Sequence, residues 1–203
     1  MKRNKFLAFV GVATVAVASL MAMTSKTTKI ETGEMTDGRD GTIYKTVKIG
    51  EQTWLAENLI FETPGSYWFN NKKTSGKGKL YTWEAAKKAC PTYWHLPTDE
   101  EWQKLEVSLG MDATQANDIG FRGTDQGKQL KVKGKSGMNL HLGGFRHTDG
   151  SFGGLNENGF YWTATPHITE GTAFRRSFNA GSDQVYRTNH DVTYAYSCRC
   201  VKD

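Results

Sequence analysis

Leu80-Tyr-Thr-Trp-Glu-Ala-Ala-Lys-Lys-Ala-Cys90-Pro91, followed two residues later by Trp94-His-Leu-Pro-Thr-Asp-Glu-Glu-Trp102, is the best-punctuated stretch of the chain. Thr82 is a residue that can cap a helix with its side-chain oxygen, and Pro91 has no N–H with which to continue one. Together they predict a short helix through Trp83–Cys90. Thr98-x-x-Glu101 is a capping box, and Trp102, Leu105 and Leu109 fall on one helical stripe before Gly110 ends the run. Upstream, Asp37-Gly38 and Asp40-Gly41 mark turns. Thr42–Ile49 then alternates with Ile43, Val47 and Ile49 on one face, and Gly50-Glu51 turns into Gln52–Leu55, a predicted β-hairpin. Pro64–Lys79 reads as a surface loop rich in Gly, Ser, Asn and Lys, and Thr114–Asp118 as one further helical turn.

Beyond Phe121 the helical period disappears and glycine recurs every few residues. Met138–Phe145, Phe160–Thr165, Ala173–Phe178, Gln184–Arg187 and Tyr194–Val201 are the strand candidates. Two helices in the first half and short antiparallel strands with long loops in the second predict an α+β fold.

The 203 residues carry a formal charge of +5, but Lys2, Arg3 and Lys5 sit in a leader without acids. Met1–Lys5 is a basic n-region, Phe6–Val15 an apolar h-region, and Ala16-Val17-Ala18 or Leu20-Met21-Ala22 a cleavage site. The expected organisation is a signal peptide over 1–22, a polar linker over 23–35 and one domain over 36–203. The domain itself is then nearly neutral, which removes nucleic acid as a partner, and signal cleavage leaves no membrane span. After Met23, Leu, Ile, Val and Phe supply only 30 residues, a share of about 17% that would warn of disorder in a highly charged chain. Here charge is low, and 14 Trp and Tyr residues provide apolar area instead.

Export permits disulfides, and the chain has three cysteines, Cys90, Cys198 and Cys200. Cys198 and Cys200 are poorly placed to bond each other within one strand, so the bridge runs from Cys90 to one of them. The five histidines form no H-E-x-x-H and there is no C-x-x-C, so no metal or cofactor is expected. Nucleophile-elbow, P-loop and dinucleotide motifs are absent from the sequence. Asp37-Gly-Arg-Asp40-Gly41 lacks calcium-loop spacing and reads as a turn. Glu100, Glu101 and Glu106 read as the solvated face of the second helix, and His95 as a structural residue beside its cap.

Several blocks resemble the Fibrobacter succinogenes major paralogous domain. They are Asp40-Gly41, Tyr44-Lys-Thr-Val-Lys-Ile-Gly50, Gln52-Thr-Trp54-Leu-Ala-Glu-Asn-Leu59, the two helix-bearing stretches quoted above, Gly120-Phe-Arg-Gly-Thr-Asp125, Gly143-Gly-Phe-Arg146, Tyr161-Trp162 and Arg199-Cys200-Val-Lys-Asp203. In order, they span about residues 36–203. The resemblance implies export by bacteria and a C-type-lectin-like fold. It also implies a relation to formylglycine-generating sulfatase-modifying domains, whose helix start is similar to Leu96-Pro-Thr-x-x-Glu101-Trp102. It selects Cys90–Cys200 as the bridge and gives Arg146 and Arg199 bracing roles. Cys198 departs from the family pattern.

Lectin-like domains bind ligands on the loops between the later strands. Here that region holds Asn156, Asn158, His167, Arg175, Arg176 and Asn179, then Asp183, Tyr186, Arg187, Asn189, His190 and Asp191. The candidate binding set is Asn158, His167, Arg176, Asn179, Asp183, Tyr186, Arg187, Asn189, His190 and Asp191, residue types suited to a polar ligand such as a sugar. The expected function is an exported, non-catalytic binding module for a glycan or an envelope protein, at the cell surface, in the periplasm or secreted. The alternatives are a formylglycine-generating-like thiol oxidase using Cys198-Arg-Cys200, or a structural protein of the cell envelope.

Overall fold

The computed structural model describes residues 30–73 and 76–203. The helix signals operate as the sequence implies. Helix α1 is Trp83–Ala89, with the Thr82 side chain accepting from the Ala85 N–H. Helix α2 is Asp99–Ser108, and both halves of the capping box are made: Thr98 accepts from the Glu101 N–H and Glu101 accepts from the Thr98 N–H. Gly110 follows at φ +94°, the left-handed conformation that stops a helix. Helices α3 (Ala113–Ala116) and α4 (Gln126–Leu130) are single turns.

The α+β expectation is overturned: the fold is β-rich, with two sheets of five and nine strands and four helices among the described residues. The first sheet contains β1 (Glu31–Thr36), β2 (Ile43–Ile49), β3 (Gln52–Leu55), β6 (Trp94–His95) and β14 (Val201–Lys202), in the order β1-β2-β3-β14-β6. The second contains β4 (Ser66–Tyr67), β5 (Leu80–Thr82), β7 (Gly120–Arg122), β8 (Gly143–Arg146) and β9 (Phe152–Leu155). It is completed by β10 (Asn158–Pro166), β11 (Thr172–Asn179), β12 (Val185–Asp191) and β13 (Ala195–Ser197). Its order is β4-β5-β13-β8-β10-β11-β12-β7, with β9 paired to β8.

The missed strands share one cause. β4, β6, β7 and β9 are two to four residues long, too short to show an alternating period; β6 and β7 pair with segments far along the chain, β4 and β9 with the nearby β5 and β8. β1 lies in the stretch expected to be linker and pairs with β2 across its whole length. Tyr194–Val201 is not one strand but two, β13 and β14, which belong to different sheets. Cys198-Arg-Cys200 is the crossing between them. The leader 1–22 lies outside the described residues. Among the described residues no helix is long and apolar enough to cross a membrane.

The hairpin β2–β3 forms with Gly50 at φ +58°, where a Cβ would come within 2.4 Å of Ser108 Oγ at the end of α2. Ile43 begins the face of Val47 and Ile49, but it projects beyond the core and is 60% exposed. The first sheet is exposed along β1 but covered on both sides where β2, β3 and β14 meet, so neighbouring residues there enter different cores. Trp54, Val47 and Val201 join Trp102, Tyr161 and Phe178. Tyr44, Leu55 and Cys200 join Tyr81, Trp162 and Tyr196. Aromatic rings fill the first core as the composition implied: Trp54 and Trp102 have centroids 5.1 Å apart, and Tyr161 and Phe178 5.7 Å.

Two polar devices close the fold. The Arg199 guanidinium, fully buried, donates to the carbonyls of Leu55, Met138 and Asn139 and to Asn58 Oδ1. His95 bridges Glu101 (2.9 Å) and the terminal residue Asp203 (2.6 Å). Burial works against its charged form, but the hydrogen bonds to Asp203 and Glu101 outweigh burial and raise its pKa. Cys90 and Cys200 are bridged, 110 residues apart.

Candidate functional site

The long strands β10, β11 and β12 form one antiparallel ribbon, so each strand sends alternate side chains to opposite faces. On the inner face, packed against α2, Arg176 meets two carboxylates: Asp99 Oδ1 at 2.5 Å and Glu106 Oε1 at 2.7 Å. Arg187, its cross-strand partner, grips Asp99 through Nε and Nη2. Arg122 completes the group with a two-pronged bond to Glu106. Glu106 is therefore not on a solvated face; it is fully buried, and its two oxygens accept from two arginines. Asp99 is pulled to a pKa of about 2: burial pushes it up, but the Arg187 and Arg176 guanidiniums overcome that cost. Two of the candidate binding residues, Arg176 and Arg187, are consumed by this interior network.

The outer face is different. Arg175 lies opposite Trp162 on β10 and Thr188 on β12, with its guanidinium carbon 4.6 Å from the Phe160 ring centre and 5.3 Å from that of Tyr196. It is 8% exposed. Its Nη1 donates to Ser177 Oγ, and its Nε has no acceptor. No carboxylate pairs with it among the described residues. Burial lowers its pKa, with the Tyr196 and Tyr186 phenols working in the opposite direction. An arginine starts so far above neutrality that the group stays charged at neutral pH.

Arg175 lines a cleft of about 340 Å³ with Phe121, Asn158, Phe160, Asn179 and Tyr186. Phe121 and Tyr186 meet edge-on at 4.7 Å, and Phe121 is 59% exposed. Asn179 Nδ2 donates to Asn158 Oδ1 at 2.9 Å, linking the two amides at the cleft. Beside the cleft, a layer of rings continues across the sheet. His190 lies 4.4 Å from Tyr194 and its Nδ1 is 3.0 Å from the Tyr196 hydroxyl. Burial first, then the charge of Arg175, lowers the His190 pKa, so the ring is neutral at neutral pH.

Of the candidate residues, Asn158, Asn179 and Tyr186 thus come together at one cleft, with His190 in the adjoining ring layer. The others lie elsewhere. His167 packs on Phe174, Asn189 donates to Thr172 Oγ1, and Asp191 accepts from the N–H and hydroxyl of Thr193 in a turn. Asp183 belongs to a larger depression of about 520 Å³ with Lys128, Lys131 and Lys135. That depression contains no aromatic ring, and Lys128 and Lys135 face Asp183 and Asp125. Phe121 and Phe160 are site residues the sequence reading missed. Consecutive arginines at 175 and 176 were the available signal, since alternation must send one to each face.

The cysteines form a compact group. The three sulfur atoms lie within 4.8 Å of one another, with Cys90 and Cys200 bonded and Cys198 free and buried. Burial pushes the Cys198 thiol up to about 12 against the smaller opposing effects of Arg199 and Arg39. In this state the pair Cys198–Cys200 offers no thiolate at neutral pH.

Neither curated proteins nor solved structures give a match to this chain, and the lectin relationship implied by the resemblance has no match behind it. Residues 47–202 match the Fibrobacter succinogenes major domain, an interval that begins within β2 and takes in both capped helices, the bridge and the Arg175 cleft. The chain belongs to the Fibrobacter succinogenes major domain family.

Proposed function

We propose that this protein is an exported, non-catalytic binding module that recognises a glycan or protein ligand at the cell surface or in the periplasm, through the outer face of β10–β12. The observation that carries the reading is Arg175, a charge held among rings at a cleft and given no carboxylate of its own. A buried cation without a partner is costly, and it becomes useful when a ligand supplies the missing acceptor. Rings and side-chain amides beside it suit polar ligands that stack and hydrogen-bond. The basic, apolar leader supports export. The raised pKa and burial of Cys198 count against thiol chemistry, and its lack of exposure counts against cross-linking between chains.

A glycan array and a pull-down from envelope extracts, each run with the purified protein and with its Tyr186→Ala and Asn179→Ala variants, test the reading. Binding by the parent that both variants weaken at least tenfold is expected. Binding unchanged in the variants would move the site elsewhere, and absence of any ligand would favour a structural role.

A further inference from the structure

We infer that the Arg175 cleft takes a carboxylate-bearing sugar, a uronic-acid unit of an acidic polysaccharide, with its carboxylate against the guanidinium and its ring against the Phe121–Tyr186 pair. The inference rests on the binding-module reading and names the ligand class.

Charge comes first. Arg175 is the only ionisable group besides the Tyr186 phenol among the cleft residues, so nothing there repels an anion. The chain's structural arginines are given several oxygen acceptors: Arg176 and Arg187 each meet a carboxylate, and Arg199 meets three carbonyls and an amide oxygen. Arg175 receives only a serine hydroxyl and two ring faces. A planar guanidinium matches the paired oxygens of a carboxylate through two parallel N–H···O bonds, and the low local dielectric strengthens such a contact.

Shape and backbone then separate a sugar from a peptide. A volume of about 340 Å³ is at the small end of ligand clefts. Asn179 donates to Asn158 Oδ1 while its own Oδ1 accepts from the Gly181 N–H, which leaves the Asn158 amide NH2 for a hydroxyl. An extended acidic peptide would need an open strand edge for its main chain. The floor here is β11, which is hydrogen-bonded on both sides by β10 and β12. A sugar ring needs no such edge.

Isothermal titration with galacturonate, glucuronate and mannuronate trimers, each beside its methyl ester, decides the matter. Esterification removes the charge and keeps the ring. At least one acid trimer is expected to bind, with affinity falling tenfold or more in its ester and in Arg175→Gln, and partly recovering in Arg175→Lys. Melting curves establish that these variants fold; should Arg175→Gln not fold, the acid–ester comparison on the parent protein still decides. Equal binding of acid and ester overturns the inference while leaving a glycan-binding module intact. Equal binding of a short polyglutamate peptide overturns it too, since charge alone would then suffice. Failure of every uronate trimer while neutral glycans bind on the array overturns the inference alone. Failure of all saccharides and proteins removes the binding reading with it.

Discussion

Arg175 and Arg176 are neighbours in the chain, both largely sequestered from water, and treated in opposite ways. On the inner face, three arginines share two carboxylates, every ion pair is short, and the cluster locks α2 to the ribbon β10–β12. On the outer face, one arginine sits among rings with no acid beside it. The difference is between a charge used to hold two layers in register and a charge left available. Buried ion pairs add little net stability over well-packed apolar groups, but removing one member is expensive because it strands the others. The outer arginine strands nothing if removed. The two faces should therefore respond to substitution in separable ways.

The largest effect lies outside both faces and sets the scale for them. Replacing Cys90 and Cys200 by Ser frees a loop of 110 residues, and chemical denaturation should show a loss of about 4–5 kcal/mol in the chain-entropy picture. Next, Asp99→Asn leaves Arg176 and Arg187 short of a counter-charge and should cost about 3–5 kcal/mol. If that variant is as stable as the parent, the inner cluster is not the fastening described.

Acid titration probes the same group without mutation. The folded pKa of Asp99 is about 2, below the unfolded value of about 3.9. Its contribution is present above pH 4 and is lost as pH falls towards 2, and it amounts to about 2–3 kcal/mol by linkage. Asp99→Asn should lack this component of the acid limb.

Arg175→Met sharpens the contrast. It removes a ring-stacked cation worth about 0.5–2 kcal/mol and at the same time relieves an unpaired charge. Stability should change by about 1 kcal/mol or less, while any ligand affinity that depends on the outer face falls. A loss equal to that of Asp99→Asn would mean that Arg175 is structural after all. The smallest effect is expected at His95. Its pKa is raised in the folded state, so its contribution is complete below pH 6.5 and fades as pH rises through the higher folded value. The ring is 38% exposed, and solvent screening keeps the effect under about 1 kcal/mol. His95→Gln should flatten that slope in melts taken between pH 6 and 9.

Legibility from sequence followed the range of the forces involved. Thr82, Thr98, Glu101 and Gly110 act on backbone groups within four residues, so α1 and α2 could be read directly, as could the β2–β3 hairpin around Gly50. Glu106 could not. By helical spacing it lies one turn from Trp102, at the edge of the apolar stripe, where a carboxylate reads as a solvated flank; only the arrival of Arg122 and Arg176 from distant strands makes its burial tolerable. Arg175 was visible as one polar residue among many in the later strands. Alternation said that it and Arg176 face apart, but not which of them faces inwards.

By itself, the sequence determined α1 and α2, the first hairpin, the aromatic character of the core and, through its family resemblance, the Cys90–Cys200 bridge. The tertiary structure alone decided that the fold is β-rich, that Tyr194–Val201 is divided between two sheets, and which of Arg175 and Arg176 is left without a carboxylate. The physical reason is common to all three. A strand of two to four residues carries no period of its own, and alternation defines two faces without saying which is buried. Both choices are made by tertiary pairing and packing, with partners that lie outside the segment itself.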